Sequence, residues 1–177
     1  MDLISQRYLT TKDVDRIKWR HSLIIVKPDI IKHQTGMLII DGGDNEGKIL
    51  PGPSDLIVEY ARATGSVVAE LGMVPNQPLT FAGEDEPRWE DALIAFTWDK
   101  YLKTGDERWP ARMAMTKSAI AAMDTIQSVI LDEDGKKRIT KFVVVGASKR
   151  GWTTWTTAAV DDRVEAIVLS LIPISEP

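Results

Sequence analysis

The chain has 177 residues, 44% of them hydrophobic and 27% charged, which is enough for one globular domain with a sizeable core. Its net charge of −4 leaves no footprint for nucleic acid or an anionic membrane, and the lack of cysteine excludes disulfides, thiol catalysis and Cys-ligated metal. No apolar run reaches membrane-spanning length, and the N-terminus has no signal-peptide core, which carries no weight if Met1 is internal to a longer chain.

Residues 1–18 are polar and weakly patterned and read as irregular. From Trp19 to Lys27 the chain alternates and then runs apolar until Pro28-Asp29, which predicts a strand. A second buried strand, Gly36–Ile40, leads into Asp41-Gly42-Gly43-Asp44-Asn45. A Gly-Gly turn after a central strand frees backbone N–H groups to face an anion, although Gly, Asp and Asn also end strands for reasons of turn geometry alone. Pro53–Thr64 reads as a helix stopped by Gly65, and Ser66–Leu71 as a third strand. Gly72–Pro87 is a long loop whose Glu84-Asp85-Glu86 run is a solvated acidic turn, not a metal site. A helix over Trp89–Leu102 turns Trp98 and Tyr101 inward. Pro110 starts another that runs to about Ile130, burying Met115, Ala119, Ala122, Met123, Ile126 and Ile130 and leaving Lys117, Asp124 and Gln127 outside. The run Asp132–Lys137 makes a turn, and Val164–Val168 begins a final strand. Strands alternating with helices predict an α/β fold with a mostly parallel sheet and flanking helices.

The chain is organised around Lys141–Gly151. Phe142–Val145 is a β-branched, aromatic run suited to a central strand, Gly146-Ala147-Ser148 turns sharply, and a helical pattern with Trp152, Trp155, Thr156 and Ala159 follows. A strand, a glycine, a serine and a helix in that order describe a nucleophile elbow, with Ser148 as the candidate nucleophile. The competing reading makes Ser148 a helix N-cap at an ordinary strand-to-helix turn. Arg150 stands where the usual Gly-x-Ser-x-Gly pattern needs glycine, so the turn is expected to open slightly or to point Arg150 outward; Gly151 comes one place later. Neither Gly42–Gly47 nor Gly146–Gly151 has the spacing of a dinucleotide or P-loop fingerprint, so no cofactor and no metal are expected.

The block Gly146–Trp155, with Ala158–Asp161 and Arg163-Val164, resembles the PhoPQ-activated pathogenicity-related proteins. So do Trp19-Arg20-His21, the turn from Ile40 to Asn45, Val74–Leu79 and Glu90–Ala95. The resemblance spans most of residues 3–168 and implies an α/β-hydrolase fold in a bacterial, exported protein associated with virulence, placed in the periplasm or secreted. It also implies a serine nucleophile at Ser148. The Lys149 N–H, with one from Gly43 or Asp44, then forms the oxyanion hole. The spacing Gly-x-Ser-x-x-Gly is also similar to that of glucuronoyl esterases, where a basic residue after the serine steadies the oxyanion; Lys149 is placed to do the same.

The rest of a triad is missing. The fold's chain order is Ser, then acid, then His, and no histidine follows Ser148; His33 sits in a polar turn and His21 packs or caps near Trp19. Asp161 and Asp162 come too soon to serve as the acid. The expectation is therefore a domain truncated at its C-terminal end, with residues 1–168 the N-terminal part of an α/β-hydrolase domain. Residues 169–177 read as a non-native tail, similar to a translated sequencing adapter. The expected partner is a small-molecule or polymer ester or amide, with no nucleic acid and no membrane span. The alternative is a non-catalytic binding or envelope protein on the same fold.

Overall fold

The computed structural model describes residues 1–47, 52–131, 135–136 and 138–170. Along them run β1 (Asp2–Arg7), β2 (Lys18–Val26), β3 (Thr35–Ile40), α1 (Asp55–Thr64), β4 (Val68–Leu71), α2 (Glu90–Thr104), α3 (Ala111–Val129), β5 (Lys141–Ala147), α4 (Lys149–Val160) and β6 (Val164–Ser170). The strands hydrogen-bond in the order β1-β2-β4-β3-β5-β6. Pairs β4–β3, β3–β5 and β5–β6 are parallel, while β1–β2 and β2–β4 are antiparallel. This is the mostly parallel sheet with flanking helices that the alternation of elements predicts, and it agrees with the α/β-hydrolase-like fold that the family resemblance implies.

The order decides where a site can form. From β3 the chain crosses to β4 on one side, and it later returns to lay β5 on the other side of β3. The loops leaving β3 and β5 therefore diverge around a crevice at the carboxyl ends of these strands, the usual ligand position in an open α/β sheet. In that register Ile40 lies opposite Gly146, so the Gly42-Gly43 turn and Ser148 leave the same end of adjacent strands.

Two apolar layers hold the sheet. The larger joins Trp19, Leu23, Leu38, Phe142 and Val144 to Leu93, Met115, Met123 and Ile126 of α2 and α3; the smaller packs Ile57 and Ala61 of α1 on Val68. All six residues of the stripe predicted for the third helix are buried. Gln127 is a correction. It is buried, donating to the Ile139 carbonyl (2.9 Å) and accepting from Arg163 (2.9 Å), because the β5–β6 end of the sheet closes over that turn of α3. On α2, Trp98 packs against the core and Tyr101 meets it edge-on with ring centroids 5.8 Å apart, while Leu102 faces solvent.

Residues 1–18 also depart from expectation. Asp2–Arg7 is an edge strand paired with β2, irregular between Ile4 and Gln6, and its polar sequence hides it because one face and one edge are wet. The helix after the elbow buries Gly151, Thr153, Thr154 and Thr157, leaving Trp152 and Trp155 more than half exposed. Its periodicity is helical as predicted, but the inward face is the small, hydroxylated one. Leu169 and Ser170, expected in the tail, complete β6 opposite Gly146 and Ala147. Residues 171–177, and Asp132–Asp134 and Lys137 of the predicted turn, lie outside the described residues.

Candidate functional site

Ser148 stands between β5 and α4 with φ 52° and ψ −121°, a conformation non-glycine residues seldom adopt and which costs roughly 1–3 kcal/mol. It is held there from both sides: its N–H meets the Ser170 carbonyl at 3.3 Å, and its carbonyl accepts the Trp152 N–H at 3.2 Å. The side chain makes no capping hydrogen bond, so the N-cap role is not the one it plays.

The tightness of this turn explains its glycines. A Cβ on Gly146 would lie 2.5 Å from the Arg150 carbonyl oxygen and 2.6 Å from Thr154 Oγ1. A Cβ on Gly151 would lie 3.3 Å from the Gly146 carbonyl oxygen, so Gly151 takes over the close strand–helix approach. Position 150 is thereby released to carry a side chain. Of the two outcomes expected at position 150, an opened turn or an outward side chain, the second does not occur: the Arg150 side chain is only 13% exposed. Nε donates to the Val74 carbonyl at 2.6 Å, and the two terminal nitrogens grip the Glu90 carboxylate in the fork geometry that suits guanidinium. Burial would raise the Glu90 pKa, but hydrogen bonds from Arg150 and Gln77, with the charges of Arg150 and Lys149, bring it below the ordinary carboxylate value.

Lys149 lies beside this pair. Its Nζ is 3.1 Å from Asp91 Oδ2 and 3.5 Å from Glu90 Oε2, so the ammonium is committed to two carboxylates at the start of α2. Arg112 of α3 donates to the Lys149 carbonyl at 2.7 Å and stacks 4.1 Å above the Trp152 ring. Its Nε is buried with no partner among the described residues, and burial lowers the guanidinium pKa.

The facing wall is the turn after β3, stapled by residues 72–79, a loop buried along nearly its whole length rather than solvated. Gly43 has φ 108°, which a side chain would strain. A Cβ on Gly42 would sit 2.7 Å from the Arg150 guanidinium. The Met73 N–H donates to the Gly42 carbonyl, and Gln77 Nε2 donates to the Gly43 carbonyl at 3.2 Å. Asp44 uses its carboxylate to accept the Glu46 N–H at 2.9 Å. Among the described residues, the Gly43 and Asp44 N–H groups have no hydrogen-bond partner. Among the described residues, three of the four non-glycine residues with positive φ, Met73, Glu90 and Ser148, belong to this one cluster. Such concentration of backbone strain marks functional sites.

Among the described residues, neither histidine is hydrogen-bonded to Ser148. His33 is exposed. His21 is fully buried, its ring 6.3 Å from that of Trp19, with Nε2 2.9 Å from Ser5 Oγ and Nδ1 3.3 Å from the Gly72 carbonyl. Asp161 is paired with Arg163 at 2.7 Å. Gln77 and Glu90 are the residues sequence reading did not single out; the one available signal was their place in the Val74–Leu79 and Glu90–Ala95 blocks.

The model of the PhoPQ-activated pathogenicity-related proteins matches residues 1–176. The chain belongs to that family. A relative from Dictyostelium discoideum, autocrine proliferation repressor protein A, is 38% identical over 179 residues, covering 98% of this chain. The chain spans 35% of the length of that curated relative. Among solved structures, a protein from Agrobacterium vitis S4 named as a hydrolase is similar over 96% of this chain and 51% of its own, with TM-score 0.43 and 16% identity. A serine hydrolase homologue from Coxiella burnetii matches 86% of this chain and 82% of its own at TM-score 0.22 and 11% identity. For this member of the PhoPQ-activated family the fold rests on strand order and crossovers. No described helix is long and apolar enough to cross a membrane.

Proposed function

We propose that the chain carries the nucleophilic half of a serine hydrolase acting on an ester or amide. The observation that supports this most directly is Ser148 at φ 52° and ψ −121° at the carboxyl end of β5, beside the strand whose following turn holds the Gly43 and Asp44 amides, which have no partner among the described residues. In the proposed reaction Ser148 Oγ attacks the substrate carbonyl carbon and gives its proton to a histidine base. The oxyanion takes hydrogen bonds from the Lys149 N–H and from Gly43 or Asp44. The alcohol or amine then leaves with that proton, and water releases the acyl group. The acid and histidine of the relay would come from chain outside the described residues. Because the Lys149 ammonium is held by Asp91 and Glu90, its backbone N–H is assigned the larger part. Export and a link to virulence belong to the same reading.

The test is covalent labelling of the full-length gene product with a fluorophosphonate. A single adduct on Ser148, lost in Ser148→Ala, is the expected result; a folded protein that never labels would overturn it. The second reading, a non-catalytic signalling or binding protein, draws on the name of the 38%-identical relative, a proliferation repressor. It predicts that Ser148→Ala leaves every activity of the protein unchanged.

A further inference from the structure

We propose that Gln77 is a positioning residue that aims the Asp44 N–H at the oxyanion site, and that Arg150 and Glu90 hold Gln77 in place. The inference rests on the serine-hydrolase reading above for its chemical meaning, but its geometry can be checked without it.

A peptide group is planar, and in the trans form its C=O and N–H point in opposite directions. The bonds between Gly42, Gly43 and Asp44 are all trans. Whatever binds the Gly43 carbonyl therefore sets the direction of the Asp44 N–H, and whatever binds the Gly42 carbonyl sets that of the Gly43 N–H. The Gly42 carbonyl is taken by a backbone donor, Met73 N–H. The Gly43 carbonyl is taken by a side chain, Gln77 Nε2 at 3.2 Å. Gly43, at φ 108°, sits between these two peptides with no Cβ to limit its rotation, so an external tether is needed to keep both planes fixed.

The tether is itself immobilised. Gln77 is 3% exposed, and its Oε1 accepts the Glu90 N–H at 2.7 Å while Nε2 also reaches Glu90 Oε1 at 2.6 Å. Both ends of the amide are thus used, which fixes which end faces Gly43. Glu90 is in turn gripped by the Arg150 fork, and Arg150 is two residues from Ser148 on the helix the nucleophile introduces. One connected set of hydrogen bonds therefore runs from the elbow helix through Glu90 and Gln77 to the peptide that bears the Asp44 N–H. Displacing glycine from 150 to 151 makes this link possible, since glycine at 150 would leave Glu90 without the guanidinium fork and with only the Lys149 ammonium at 3.5 Å.

The experiment uses the full-length gene product and three variants, Gln77→Leu, Glu90→Gln and Ser148→Ala, with thermal unfolding to confirm that each folds. The first readout is the Asp44 amide resonance in a ¹H–¹⁵N spectrum. It is expected to move in Gln77→Leu, to move less in Glu90→Gln, and to stay in place in Ser148→Ala. The second is the fluorophosphonate labelling rate, expected to fall about 10-fold or more in Gln77→Leu, as partial loss of one oxyanion donor requires. An unmoved Asp44 resonance in folded Gln77→Leu and Glu90→Gln overturns the proposal even if Ser148 labels. A moved resonance with unchanged labelling also overturns it, because the aim of that N–H would then not matter. If the resonance moves while wild-type Ser148 never labels, the tether stands and the serine-hydrolase reading fails.

Discussion

Acidification tests His21 most sharply. The ring is fully buried, and the loss of water around its charged form, only partly offset by contacts with Gly72, Met73 and Asp2, lowers its pKa from 6.5 to about 4. The Gly72 carbonyl can only accept, so Nδ1 carries the proton and Nε2 takes the Ser5 hydroxyl hydrogen. The folded state keeps His21 neutral down to about pH 4, whereas the unfolded chain protonates near 6.5. Between those values the unfolded state binds more protons, so stability is full above about pH 7 and falls as the pH drops towards 4. At about 1.4 kcal/mol per pH unit the whole loss amounts to about 3 kcal/mol. Glu90 and Asp161, both held below their ordinary values, stay charged through most of that window and lose their contribution only at its acid end and below. Glu70, raised by burial and by Asp41, works in the opposite sense, so a paired comparison is needed. Urea unfolding at steps from pH 7.5 to 4.5 would compare wild type with His21→Asn, which keeps a donor for Gly72 but does not titrate. The variant should be weaker at pH 7.5 and show a flatter acid limb. Parallel curves for the two proteins between pH 7 and 5 would refute the account.

Three further outcomes are expected. Ser148→Gly should stabilise the protein by about 1 kcal/mol by relieving the backbone at φ 52°, while Ser148→Ala, which keeps the Cβ, should not; urea midpoints separate the two. Gly146→Ala should cost about 3 kcal/mol or more, because its Cβ meets backbone at 2.5 Å with nothing free to move, and loss of soluble yield or of the cooperative melt would show it. Arg150→Met should cost about 2–3 kcal/mol, less than a wholly buried pair because the Glu90 side chain is 32% exposed. A double-mutant cycle with Glu90→Gln should return a coupling of about 1–2 kcal/mol in chemical unfolding, and a value near zero would mean the fork is idle.

Much of this fold is legible in the sequence because its signals are local. Phe142–Val145, Gly36–Ile40 and the Met115–Ile130 stripe announce themselves by run length and spacing, and Gly65 marks its helix end with φ 71°. What is not legible depends on distant partners. The polar run Asp2–Arg7 is a strand only because β2 offers it an edge. Arg150 reads as a surface cation until Glu90, 60 positions earlier, supplies a carboxylate within 3.0 Å. Gln77 and Gln127 resemble surface amides, yet both are buried where backbone carbonyls need a donor. The spacing of Trp152 and Trp155 announces a helix but not its inward face, which is the threonine one, since only small side chains allow the helix to sit as near the strand as Gly146 and Gly151 require.

That helix has an optical consequence. Trp19 is shielded completely, while of the exposed tryptophans, Trp89, Trp152 and Trp155, the last two stand within two turns of Ser148. Emission from the chain should therefore divide into a blue component that acrylamide barely quenches and a red one that it quenches readily. Anything that settles on the first two turns of α4, whether a ligand or another stretch of protein, would shift only the red one. The molecule thus carries a fluorescent gauge of occupancy beside its elbow, with Trp19 as an internal standard.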